Sequence, residues 1–107
     1  VVVRAVDSAG FSASLKDQIA PANISPALEA LWWAGRSEWD KAHTIVMGRE
    51  GEGDADWVHA YLHRVEGDIG NAHYWYRQAN KTPADGPLPA EWDDIVRHLL
   101  FSAATPR

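Results

Sequence analysis

ALWWAGRSEWDKAHTIV (residues 30–46), laid over AYLHRVEGDIGNAHYWY (residues 60–76), pairs Ala30 with Ala60, Trp39 with Ile69, Ala42 with Ala72, His43 with His73 and Val46 with Tyr76 at a constant offset of 30. Small residues recur where two helices would cross closely, and large apolar ones recur where they would fill the space between neighbours. Stacked helical hairpins need that pattern. The expected fold is therefore all-α, with two antiparallel helix-turn-helix repeats at its centre.

Working outward, Ser25 before Pro26 opens the first repeat: Ser is a strong N-cap, and proline is tolerated where its missing N–H would go unpaired. Leu28, Leu31 and Trp32 follow at helical spacing and Gly35 supplies a stop. Ser37 with Asp40 resembles a capping box for the next helix, whose apolar stripe is Trp39, Ala42, Ile45 and Val46. Gly51 to Asp54 breaks the pattern, and Trp57, Val58, Tyr61, Leu62 and Val65 define the face of a third helix. Gly67-Asp68 ends it and caps a fourth, carrying Ala72, Trp75, Tyr76 and Ala79.

These features divide a single domain, 1–107, into an N-terminal arm and short helix (1–24), repeat 1 (25–50), repeat 2 (54–80), a proline-rich loop (81–89) and a C-terminal capping helix (90–104). Within the first part, VVVRAVDSAGF (1–11) reads as extended, because a β-branched run is followed by Asp7, Ser8 and Gly10. A short helix then runs from Ser12 until Pro21 stops it.

Ala72, Tyr76 and Ala79, with Gly67-Asp68-Ile69 before them and Pro83 after, resemble the second half of a repeat in the tetratricopeptide and related helical-repeat families. The resemblance covers roughly residues 26–83. The period here is shorter than the usual tetratricopeptide length, the family's first-helix Trp-Leu-Gly signature is incomplete, and two repeats are fewer than such arrays normally need, so the end helices or a second chain must cap the stack. The string HAYLHR…GD…NAHYWYR also resembles that of short bacterial proteins, which implies no function. In the repeat families the inner face of each hairpin's first helix often holds a peptide. That would implicate Trp57, Tyr61 and Arg64 here, while the same rings equally suit the core of a small domain. Trp32 and Trp33 point about 100° apart on a helix, so both are buried only if two sides are covered, and Trp33 is a candidate partner contact.

The sharpest chemical feature is a stripe of Asp56, His59, His63 and Glu66 at steps of three, four and three. Two imidazoles one helical turn apart can chelate a transition metal, and flanking carboxylates can complete or orient such a site. The same stripe is also the polar face left over once Trp57, Tyr61 and Val65 turn inward. His43 and His73, at equivalent repeat positions, suggest a shared structural task such as bonding a carbonyl at the inter-helix turn. No phosphate loop, nucleophile elbow or dinucleotide fingerprint is present, so no catalytic residue and no organic cofactor is expected.

Composition narrows the classes further. A net charge of −5 with no Lys/Arg run argues against nucleic acid, and the absence of cysteine excludes disulfides, zinc-thiolate sites and thiol nucleophiles. No apolar stretch approaches the roughly 20 residues that span a bilayer. Six tryptophans in 107 residues demand an aromatic-heavy core or surface. The chain opens Val1-Val2-Val3 rather than with Met, so a trimmed or mature product is expected, cytoplasmic by default, with a removed leader left open. The leading functional expectation is a non-catalytic interaction module, or a small subunit, that binds a protein, a peptide or its own copy. The alternative is a small metal- or ligand-binding protein, with or without enzymatic activity, centred on His59 and His63.

Overall fold

The computed structural model describes residues 6–104, and among them every regular element is helical. The elements are α1 (Ser8–Ala13) continuing into a 3-10 turn (Ser14–Lys16), α2 (Pro26–Gly35), α3 (Trp39–Met47), α4 (Gly53–Val65), α5 (Ile69–Ala79) and α6 (Leu88–Ala104). The pairs α2–α3 and α4–α5 are the two hairpins. No described helix is long and apolar enough to cross a membrane.

The repeat extends to individual backbone bonds. Glu38 N–H donates to the Trp33 carbonyl at 2.9 Å, and 30 residues later Asp68 N–H donates to the His63 carbonyl at 2.9 Å. The pairs Ser37 to Ala34 and Gly67 to Arg64 repeat in the same way, at 3.0 and 3.1 Å. Such six-to-one closures need a left-handed residue just past the helix. Gly67 fills that position at φ 85° and Ser37 at φ 62°. Ser37 therefore terminates α2 rather than capping α3, whose N-cap position falls to Glu38 with no side-chain cap bond. In the second hairpin the cap is made as expected, with Asp68 Oδ1 accepting from Asn71 N–H at 3.3 Å.

The N-terminal segment departs from the extended reading. Asp7 Oδ1 accepts from Gly10 N–H at 2.7 Å, and this N-cap starts α1 at Ser8. Asp and Ser serve loops and helix starts alike, and here Phe11, fully buried, decides between them by anchoring the helix in the core. Residues 1–5 of the expected arm lie outside the described residues.

Packing of the hairpins rests on the small residues, since Ala30, Ala42, Ala60 and Ala72 are all essentially inaccessible. Gly35 has a similar role, because a Cβ there would stand 2.9 Å from Leu15 Cδ2 and 3.0 Å from Trp92 Cζ2. The end helix α6 returns across α2 and α4, where Trp92 Nε1 donates to the Leu31 carbonyl at 2.8 Å and Glu91 pairs with Arg64 at 2.9 Å. As a result α4 is contacted by α2, α3, α5 and α6, and every residue from Ala55 to His63 is buried. Over Ala55–His63 the helix has no solvated face, so His59 and His63 are withdrawn from bulk water.

Candidate metal centre

His59 and His63, one turn apart on α4, lie at the seam with α3, which contributes His43. The side-chain exposure of His59 and His63 is low enough, at 2% and 5% for the whole residues, to remove them from bulk water; His43 is half-buried. One ligand nitrogen from each of the three lies within 4.8 Å of the others. His43 Nε2 and His59 Nε2 stand 3.1 Å apart and share a hydrogen bond, one ring donating and the other accepting. Two nitrogens sharing a tetrahedral zinc at about 2.0–2.1 Å stand roughly 3.3–3.4 Å apart, so this spacing is close to that of ligands around one ion.

Two indoles fix the rings. Trp39 stacks on His43 with centroids 4.5 Å apart and 16° between planes, and Trp75 stacks on His59 at 4.0 Å and 15°. Trp39 is itself held by its Nε1–H, which donates to the Leu62 carbonyl at 2.7 Å. The third imidazole is oriented differently: His63 Nδ1 lies 2.7 Å from Glu66 Oε2. A carboxylate only accepts, so Nδ1 donates to Glu66 and Nε2 is the nitrogen left for coordination. A histidine oriented by a carboxylate in this way is a recurrent arrangement behind metal ligands.

Protonation favours the same use. Burial, reinforced by the neighbouring His63 and His43, pushes His59 down to about 4. His43 is lowered as well, first by burial and then by His63, against the opposing charges of Glu66, Asp40 and Glu50. Neutral imidazoles offer the lone pairs that coordination requires. The other nitrogen of His59, Nδ1, is buried and has no hydrogen-bond partner, unlike Nδ1 of His63.

Of the four residues in the sequence stripe, the structure gathers His59 and His63 directly and Glu66 through His63. It does not gather Asp56. That carboxylate is buried at the start of α4, where Oδ1 accepts from Gly51 N–H at 3.2 Å and steadies the α3–α4 turn. Burial raises its pKa, with Glu50 and Glu52 adding to the rise and the Gly51 bond opposing it. In its place comes His43, which the sequence reading treated as structural and equivalent to His73. The two are not equivalent in the fold. His43 on α3 faces the next hairpin, whereas His73 on α5 would face a third, and it is exposed. Knowing that α3 packs against α4 would have been enough to find His43.

The residues implied by the repeat resemblance have a different setting. Trp57 and Tyr61 are each 7% exposed, and Lys81 Nζ sits 4.2 Å from the Trp57 ring while His98 of α6 meets its edge. Arg64 is ion-paired with Glu91 and also donates to the Gly86 carbonyl, and Tyr76 O–H donates to the other Glu91 oxygen. Burial, with the Glu91 bond adding to it, raises the Tyr76 pKa. The inner face of α4 thus carries the chain's own loop and α6. Trp32 is buried, its Nε1 donating to Ser14, while Trp33 is half-buried beneath Lys41 at 4.4 Å.

Comparison of the chain with known protein families, curated proteins and solved structures returned no match.

Proposed function

We propose that this protein binds one first-row transition ion of the zinc type through His43, His59 and His63, with Glu66 orienting His63. The observation that carries the reading is the convergence of three imidazole nitrogens from two hairpins, two of them 3.1 Å apart, in a largely buried setting. Imidazole suits zinc, copper and nickel, and zinc imposes no geometry of its own on a three-nitrogen site. Because His43 belongs to the first hairpin and the other two ligands to the second, the ion ties the two repeats together. In a stack of only two repeats, this bridge adds to the capping that α6 provides.

The interaction reading has less support. Two of its four residues, Trp57 and Arg64, are engaged by residues 81–98 of the same chain, so a peptide would compete with those contacts.

Isothermal titration of metal-free protein with zinc, checked by elemental analysis after desalting, tests the proposal. One ion per chain in the wild type and none retained by His59→Ala is the expected outcome. A wild-type protein that gives no binding heat and emerges without metal would overturn it.

A further inference from the structure

We infer that an ion held by His43, His59 and His63 keeps one exchangeable coordination position, open to water and to small anionic donors. The inference rests on the proposed metal reading and concerns what the site does beyond holding its ion. Among the described residues, no fourth His, Asp or Glu lies within ligand distance of all three imidazoles, although Glu66 and Asp68 form a second group with His63, and the chain has no cysteine at all.

The nearby carboxylates already have other tasks. Glu66 Oε2 holds His63 Nδ1 at 2.7 Å, Asp68 Oδ1 caps α5 at Asn71 N–H, and Asp56 Oδ1 accepts from Gly51. Structural zinc sites are closed by four protein ligands, whereas three protein ligands leave the fourth position to water or an incoming molecule.

The surroundings suit exchange. His43 and Trp39 are only half-buried and the Glu66 side chain is 40% exposed, so solvent reaches that side of the cluster. The stacked faces of Trp39 and Trp75 make its walls apolar. Such walls weaken solvent screening and strengthen the ion's pull on a bound oxygen or nitrogen donor. The ligand class is accordingly a small monodentate anion, such as azide or hydroxide, or one oxygen of a carboxylate. A ligated water is lost as the donor enters, and no bond within the protein changes.

Cobalt(II) substituted into the metal-free protein tests this, with azide as the probe. Visible absorption of the tetrahedral type that appears at one cobalt per chain, followed by a saturable spectral shift at one azide per ion, is the expected result. Cobalt absorption that saturates but does not respond to excess azide overturns the open position and leaves the metal site standing. No cobalt absorption at all overturns both.

Discussion

Replacing His43 by alanine should uncouple metal binding from stability. The residue is half-buried but bonds buried His59, so its loss costs the metal-free fold about 1–3 kcal/mol, and it is the one imidazole contributed by the first hairpin. With free zinc at about 100 times its dissociation constant, binding to the native state alone adds roughly 2.7 kcal/mol. An unfolding entropy near 2.1 cal/mol/K per residue amounts to about 0.22 kcal/mol/K for a chain of this length, so the wild-type Tm should rise by about 12 °C. In His43→Ala the ion keeps only the two α4 ligands. A roughly 100-fold loss of affinity, of the size seen even for outer-shell changes, brings free zinc to its dissociation constant. The stabilisation then falls to about 0.4 kcal/mol and the shift to about 2 °C. Melting curves followed by circular dichroism, across a zinc series and with magnesium as control, read this directly. An equal zinc shift in both proteins, or none in the wild type, would refute the reasoning.

Three further outcomes are expected. Glu66→Gln leaves the ligands in place but weakens the partner that fixes the His63 ring, so zinc affinity measured by competition with a chelator should drop about 10- to 100-fold; unchanged affinity would show that Glu66 does not orient the site. Ser37→Gly should raise stability by about 0.5–1 kcal/mol because it relieves a left-handed serine, while Gly67→Ala at the equivalent turn should lower it by about 1 kcal/mol. Chemical denaturation of both variants measures this, and opposite signs are the result to look for. The metal-free protein should also lose stability as pH falls: His59 titrates near 4 when folded and near 6.5 when unfolded, so between those values the unfolded chain binds the proton that the native state refuses. Stability is flat above about pH 7 and declines by up to about 3 kcal/mol by pH 4 on this account. Urea midpoints that do not change between pH 7 and pH 5 would contradict it.

Much of the architecture was legible because it is local. The offset of 30 reappears in paired backbone bonds at the two hairpin turns, and the Ser25-Pro26 start lies where the cap places it. Failures came where one residue type serves two ends. Asp7 and Ser8 looked like loop and proved to be a helix start, and Ser37 looked like an N-cap and proved to be a left-handed terminator. The candidate site was half visible: spacing on a single helix put His59, His63 and Glu66 on one stripe, but nothing local separates His43 from His73. That distinction arises from stacking, because only the first repeat's second helix has a hairpin beyond it. Similarly, nothing local says where α6 docks, and its return across α2 and α4 brings Glu91 to Arg64 and His98 to Trp57.

X-ray absorption at the zinc K edge of zinc-loaded protein addresses the central claim most directly, because it counts ligands without relying on a variant. The account predicts three imidazole nitrogens at about 2.0–2.1 Å from a single ion, with the multiple-scattering pattern of histidine rings. A shell of oxygens alone, as carboxylates at the surface would give, would contradict it.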